Sequence, residues 1–521
     1  MDKVEKLREF FKSNNITFDK IEIVSDDNGF SIRATEDIEE GVKESVLSIR
    51  NTACADILEE NELGGVLGLA IAIMFEASLG EKSPWYNYLQ SIPVFENVPC
   101  FWSDEDKAFL ASTDVGKSLA QDIQYLQDDY KEHVIPLIEK YAEFDAKFMT
   151  LERWMNATSL VASRAFQVDE FHGESLVPLA DLFNHKTGAE HVHFEGVGDV
   201  CPTCGSSDGC DCEGEEWEDD EDVPELDTIE EDGDEAPELA DMEEAPELDE
   251  ETPMDNEILE MVTVRAAKKG EELFNTYGDH SNSSLLRLYG FVDQENEFSC
   301  VRIDRKDVLE QFKGLDPESL EDRLGFWDQV GKDIVDQLGA LDENEEPEED
   351  FDEHEHTGDC CGEEHGHEGD DGEGDMCCDD ENCEGCDQED PLLDDFYIEH
   401  DGKPSFALAA FVNLLAMSQQ AFETIAIDLN LAIEALVKIR NDLQEAPKPK
   451  KKGKAKADKL QSTVNATIKA VVEARLGEYA AIDAEPVNQN QKYALMLRNE
   501  EISILQMYWG VSKLNKFNNV Q

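Results

Sequence analysis

Leu176-Val-Pro-Leu-Ala-Asp181-Leu-Phe-Asn-His185 is a short apolar run that stops abruptly at hydrogen-bonding groups. About ninety residues later, Glu272-Leu-Phe-Asn-Thr-Tyr-Gly278 does the same, ending in a tyrosine and a glycine. Each places polar groups at the end of a buried extended segment, where a rigid scaffold can aim them at a ligand. The rest of the chain is read outward from this pair.

With 521 residues there is room for two or three domains and a large core. The formal net charge is −80. Glu and Asp crowd into two blocks, roughly 211–260 and 341–395, and the balance elsewhere is milder. The charge therefore describes insertions, which dense like charge and few large apolar groups predict to be disordered. It argues against direct nucleic-acid binding and for basic partners, or at least for solubility. Ten of the thirteen cysteines lie in or beside the acidic blocks. The opening Met1-Asp-Lys-Val-Glu5 lacks a signal-peptide pattern, and no run is apolar enough for a membrane span. An intracellular chain with thiols or thiolate–metal bonds is expected, in the cytoplasm and nucleus.

Val4, Leu7, Phe10 and Phe11 predict a first helix. Strands follow at Ile21–Val24, Phe30–Ala34 and Ser45–Ile49, with Asp26-Asp-Asn-Gly29 as a hairpin turn. Residues 63–79 are apolar at helical spacing, and Trp85-Tyr-Asn-Tyr-Leu89 reads as core. Leu119, Ile123, Leu126, Tyr130, Val134 and Leu137 predict an amphipathic helix that Pro136 kinks or ends. Another helix is expected from Thr150 to about Phe166, carrying Arg164. Order returns after the first acidic block as strands at 258–264 and 272–275, then a helix from Ser281 to about Tyr289 ending near Gly290. The remainder is mostly helical, with long stretches at 405–443, 457–482 and 488–509. Lys448-Pro-Lys-Lys-Lys452 is an exposed basic loop or an import signal.

These residues resemble the SET-domain protein-lysine methyltransferases of the Rubisco large-subunit methyltransferase type, a group that includes the fungal ribosomal-protein lysine methyltransferases. Asn28-Gly-Phe-Ser-Ile-Arg-Ala34 is similar to the family's opening Gly-x-Gly strand pair, with Ser31 where the second glycine usually stands. Ser83-Pro-Trp-Tyr-Asn-Tyr-Leu89 with Ile92-Pro93, Ser163-Arg-Ala-Phe166, the Asn184-His185 and Tyr277-Gly278 motifs, and Leu288-Tyr-Gly-Phe291 follow in the family's order. Glu501-Ile-Ser-Ile-Leu505 resembles the family's last helix.

The resemblance implies an α+β fold. A β-rich SET domain at 21–278 follows an N-terminal helix at 1–20, with a helical insertion at about 60–160 and an acidic one at about 200–256. A helical substrate-binding domain spans 279–521, with an acidic insertion at about 341–395 and a basic loop at 446–458. The implied activity is S-adenosylmethionine-dependent methylation of a lysine in a basic protein, a large-subunit ribosomal protein fitting best, by a monomer. Tyr277 would be the catalytic tyrosine. Asn28, Gly29, Phe30, Arg164, Asn184, His185 and Tyr277 would hold the cofactor. Arg164, Asp181, Phe194, Tyr289 and Phe291 would meet the substrate. Two other readings stay open. One is a different acceptor, a histone or other lysine or a histidine, since the fold does not fix it. The other is a non-catalytic acidic chaperone for basic proteins.

The resemblance calls for no metal. Cys201-x-x-Cys204 followed by Cys210-x-Cys212 nevertheless has zinc-like spacing. Incidental metal binding is the plainer reading of these four, and of the Cys/His pairs of the second block.

Overall fold

The Asp26–Gly29 step closes an antiparallel hairpin, β1 (Ile21–Asp26) with β2 (Gly29–Ala34), in the register Ile21↔Ala34 to Asp26↔Gly29. This computed structural model describes residues 3–14, 16, 21–26, 29–35, 43–44, 47–195, 200–201, 203, 205, 212, 259–340, 396–444, 459–482 and 484–508. Asn28, Cys204, Cys210, most of both acidic insertions and the basic loop lie outside the described residues. The chain divides into two units, one of 1–98 with 124–279 and the other of 99–123 with 280–521. Residues 99–123 thus group apart from the rest of the expected helical insertion.

The first unit carries most of the strands. β3 (Lys43–Glu44), β4 (Ala165–Gln167), β5 (Glu174–Leu176), β6 (Asn184–His185), β7 (Val192–Glu195), β8 (Leu259–Thr263) and β9 (Phe274–Asn275) follow in order. β8 lies between β3 and β7, β4 pairs with β5, and all of these are antiparallel. β6 and β9 pair in parallel, Asn184 opposite Phe274 and His185 opposite Asn275. Parallel neighbours cannot be joined by a tight turn. The long connection between the two motifs is therefore what lets them lie side by side.

Helices back these small sheets. Gly65–Leu79 is apolar nearly all round, and Leu69 to Phe75 are buried, as a helix covered on every side must be. It packs on Leu151–Arg164, whose Trp154, Ala157, Leu160 and Val161 form the buried face. Thr150 caps that helix, its hydroxyl accepting the Arg153 N–H at 3.3 Å. The Lys3–Ser13 helix sets Phe10 against Trp85 and Tyr88, with ring centroids 5.8 and 5.7 Å apart. Pro136 neither kinks nor ends its helix by itself. A π-turn at Tyr130–Val134 precedes it and the helix runs on to Lys140. The wide turn absorbs the hydrogen bond that proline cannot donate.

Among the described residues, the strands of the second unit are β10 (Cys300–Arg302) and β11 (Tyr397–Glu399), and its other regular elements are helices. The expected 405–443 helix is three, Phe406–Ala416, Gln419–Ile427 and Leu429–Gln444. Ser418 starts the second by accepting the Ala421 N–H at 3.3 Å. Here a polar cluster is buried. Glu501 accepts the Asp114 N–H at 3.0 Å and the Tyr479 hydroxyl at 2.8 Å, and Arg475 reaches Asp114 at 2.7 Å. Burial, with Asp114 adding repulsion, pushes the Glu501 carboxyl well above its usual range, against the pull of Arg475. A carboxyl raised on folding loses stability as pH rises from about 4.3 through its folded value. Glu501→Gln removes the charge; its amide oxygen keeps the Asp114 N–H, and the Tyr479 hydroxyl turns to accept from the amide nitrogen. The variant's melting temperature is therefore expected to gain on the wild type between pH 5 and pH 8, and a constant difference would refute the assignment.

Candidate active site

Because β6 and β9 run parallel, the residues that follow them emerge from the same edge. His185 Nδ1 accepts the backbone N–H of Tyr277 at 3.0 Å, and its Nε2 meets the Thr187 hydroxyl at 3.2 Å. A nitrogen that accepts a backbone N–H carries no proton, so the ring is the neutral Nε2–H tautomer. The His185 and Tyr277 rings lie 5.2 Å apart at 32°. The Tyr277 hydroxyl donates to the carbonyl of Phe183 at 3.0 Å. Both ends of Tyr277 are thus tied to the Phe183–His185 segment.

β2 closes a third side. Leu273 N–H donates to Ile32 O at 3.0 Å, and Arg33 bridges to Glu272. Asn184 Nδ2 donates to Glu272 Oε1 at 2.8 Å and to Phe30 O at 3.4 Å, while its Oδ1 has no hydrogen bond among the described residues. Three stretches far apart in sequence, 29–34, 181–185 and 272–277, therefore share one locality. Asn28 lies outside the described residues, and Gly29 opens β2.

Beneath the motif is a buried charge cluster. Arg164, the last residue of its helix, donates from Nε to Glu96 Oε1 at 2.6 Å. Its Nη1 donates to Asp181 O at 2.9 Å and to Oδ2 at 3.3 Å. The Tyr88 hydroxyl also donates to Asp181 Oδ2, at 2.9 Å. The Asp181 side chain is 0% exposed, and its Oδ1 has no hydrogen-bond partner among the described residues. Burial raises the Asp181 carboxyl above the ordinary carboxylate range despite Arg164 and Tyr88. Burial works against the Arg164 charge, but Glu96 and Asp181 outweigh it and hold the guanidinium fully protonated. The Leu179 backbone just ahead is at φ 86°, a conformation rare for a bulky side chain and common where a chain must turn tightly beside a site.

Phe194 in β7 packs on Phe166 in β4, with ring centroids 5.0 Å apart. His191 is a core histidine: its N–H donates to Phe274 O at 2.7 Å and its Nδ1 accepts Phe274 N–H at 3.3 Å. Tyr289 and Phe291 belong to the second unit, 6.3 Å apart, with the Tyr289 hydroxyl 3.4 Å from His280 Nε2. Gly290 between them takes the left-handed φ of 80° that ends the helix. Sequence reasoning missed Tyr88 and Glu96. An aromatic cluster reads as core, and Tyr88 is fully buried as well as a donor to Asp181.

No family model matches the chain. It is 28% identical over 355 residues to "Ribosomal lysine N-methyltransferase 3" of Saccharomyces cerevisiae, covering 58% of this chain and 63% of that one. It is 28% identical over 292 residues to "N-lysine methyltransferase setd6" of Danio rerio, covering 51% and 50%. The chain thus matches between half and two thirds of these relatives' length. Among solved structures it resembles the SET domain of LSMT bound to lysine and AdoHcy, with TM-score 0.55, 14% identity, and coverage of 98% of this chain and 90% of that. Rubisco LSMT bound to AdoMet gives TM-score 0.55 at 13% identity over 98% and 91%. The fold is that of the SET-domain lysine methyltransferases, reached at low sequence identity.

Proposed function

We propose that this SET-fold chain is an S-adenosylmethionine-dependent protein-lysine N-methyltransferase. Its substrate is a basic protein, with a large-subunit ribosomal protein as first choice. The observation that carries the reading is Tyr277, whose hydroxyl proton is committed to the Phe183 carbonyl and whose main chain is pinned by His185. A hydroxyl that gives its proton away turns its oxygen lone pairs toward whatever approaches from the other side. Fixed oxygens of this kind favour a positively charged carbon centre without reorganising.

The donor set fits the cofactor. Asn184 is exposed and keeps Oδ1 uncommitted, and Arg164 keeps Nη2 uncommitted among the described residues. These two, with the main chain of Gly29 and Phe30, suit an amino-acid end and a nucleoside. Bound S-adenosylmethionine supplies a methyl group activated by a sulfonium. The protein's part is to orient the acceptor and keep it uncharged. Lysine in water titrates near pH 10.4, and an apolar, ring-lined passage disfavours the ammonium form. Following the resemblance, Tyr289 and Phe291 are assigned to the lysine stem; within the first unit, Phe194 and Asp181 are assigned to the substrate side. Alignment of amine and methyl then does most of the rest.

The substrate class is supported by the yeast relative's name and by the net charge of −80, which draws basic proteins. The enzyme works as a monomer in cytoplasm and nucleus, with Lys448–Lys452 as the import signal. Incubation of the full-length protein with methyl-labelled cofactor and purified ribosomal subunits is expected to label one basic protein on lysine. Label recovered on histidine, or none despite cofactor binding, would overturn the acceptor assignment.

A further inference from the structure

Two carboxylates share Arg164, and neither takes all of it. Glu96 Oε1 accepts from Nε at 2.6 Å, and Asp181 Oδ2 accepts from Nη1 at 3.3 Å. An arginine facing a carboxylate commonly pairs through two parallel N–H bonds. Nη2 would complete such a pair, yet it has no hydrogen bond among the described residues. Asp181 Oδ1 is the oxygen a second bond would meet. It is buried and has no hydrogen-bond partner among the described residues. A buried acceptor left alone beside an uncommitted donor costs free energy, so something must hold the two apart.

Glu96 is placed to do this. Two hydrogen bonds fix it to the Leu151–Arg164 helix: its N–H donates to Ser159 Oγ at 3.1 Å, and its carboxylate accepts from Arg164 Nε. Ser159 is buried, and its hydroxyl gives its own proton to Asn156 O at 2.7 Å, which leaves the oxygen to accept. Val98 N–H on Glu96 O at 2.8 Å holds the same turn from the other side. The Glu96 and Arg164 side chains are each 17% exposed, so water screens their bond little. Asp181 draws the guanidinium the opposite way, and its Oδ2 is shared with the Tyr88 hydroxyl. One cation is thus pulled from two sides.

We propose that Glu96 is a positioning residue for cofactor binding: it keeps Arg164 from closing a two-bond pair with Asp181, and so leaves Nη2 for the ligand. Without Glu96 the pull toward Asp181 is unopposed, and the guanidinium turns until Nη2 meets Oδ1. Ser159 acts one step further back, by setting the main chain of Glu96. The proposal rests on the reading of Arg164 as a cofactor residue and adds what makes that arginine available. Charge counting alone gives the opposite sign. Removing an anion beside an arginine should tighten its hold on a carboxylate-bearing ligand.

The test is calorimetric titration of S-adenosylmethionine into the full-length protein. Glu96→Ala is expected to bind about tenfold more weakly than the wild type, the scale of one charge-assisted hydrogen bond. Glu96→Gln, whose amide oxygen can still accept from Nε, is expected to recover most of that loss. Ser159→Ala is expected to weaken binding on its own and to add nothing in Glu96→Ala, because it acts through Glu96. A merely structural role would lower the melting temperatures without this rescue or this coupling. Unchanged or tighter binding in Glu96→Ala would overturn the proposal. So would a Gln variant no better than the Ala one, or losses at Ser159 and Glu96 that simply add. Arg164→Lys separates the proposal from the reading beneath it, since it keeps a cation and lacks the fork. Wild-type affinity in that variant would remove Arg164 from the cofactor site altogether. Weakened binding there, with none in Glu96→Ala, would remove only the role of Glu96.

Discussion

Tyr277→Phe is expected to lower methyl transfer about 10²–10³-fold while leaving S-adenosylmethionine binding and the melting temperature close to wild type. The ring keeps its place because the backbone N–H of residue 277 stays on His185 Nδ1 and the ring stays beside the imidazole. What goes is one oxygen and its hydrogen bond to Phe183 O. A single neutral hydrogen bond is worth about 1 kcal/mol of stability, so the fold survives. The rate loss corresponds to about 2.7–4 kcal/mol of lost stabilisation of the reacting centre. Single-turnover transfer from labelled cofactor, with binding measured separately by calorimetry, distinguishes the two effects. A variant as fast as the wild type would remove Tyr277 from the chemistry, and one that no longer binds cofactor would make it a positioning residue only.

What the sequence disclosed follows from what each signal reports. The two motifs ending in Asn184-His185 and Tyr277-Gly278 were legible because each is a short apolar run with polar residues at its end. Their parallel pairing was not, since a period-two pattern says nothing about which strand lies alongside. The resemblance assigned both motifs to one cofactor site, and the pairing itself is read from the structure. Arg164 was legible as the cation at a helix end, but its partners were not. Glu96 lies in the non-periodic stretch Val94-Phe-Glu-Asn97, and Tyr88 hides its hydroxyl in an aromatic run. The three-way break of the 405–443 helix shows the same limit. Apolar periodicity persists through Ser418 and Asp428, and only the capping hydroxyl of Ser418 marks a new start. Aromatic and apolar patterns report what is buried, and they are silent about the polar atom a buried side chain carries.

Arg164→Leu is expected to cost the first unit about 3–5 kcal/mol at pH 8, and clearly less at pH 5. Removing the guanidinium leaves Asp181 enclosed with the Tyr88 hydroxyl as its remaining charge-stabilising partner. Its carboxyl, already raised by burial with Arg164 in place, must then rise further. The sign follows from proton uptake. Above about pH 3.9 the unfolded chain has released this proton, while the folded variant keeps it up to its raised value. Each pH unit gained within that window therefore subtracts from the variant's stability more than from the wild type's. Acidification relieves the defect by making Asp181 neutral. Asp181→Asn in the same background should recover much of the loss at pH 8 and little at pH 5, because the raised Asp181 carboxyl is already neutral at the lower pH. Urea unfolding of the full-length proteins at the two pH values gives all four numbers. A penalty equal at both would mean that Arg164 contributes packing rather than charge, and that Asp181 draws its stability from Tyr88 alone. The same cluster bears on function through the chain itself. Asp181 stands three residues before Asn184 and four before His185, and Arg164 also holds the Asp181 carbonyl. A defect that loosens Arg164 should therefore weaken cofactor binding at pH 8 even before the unit unfolds.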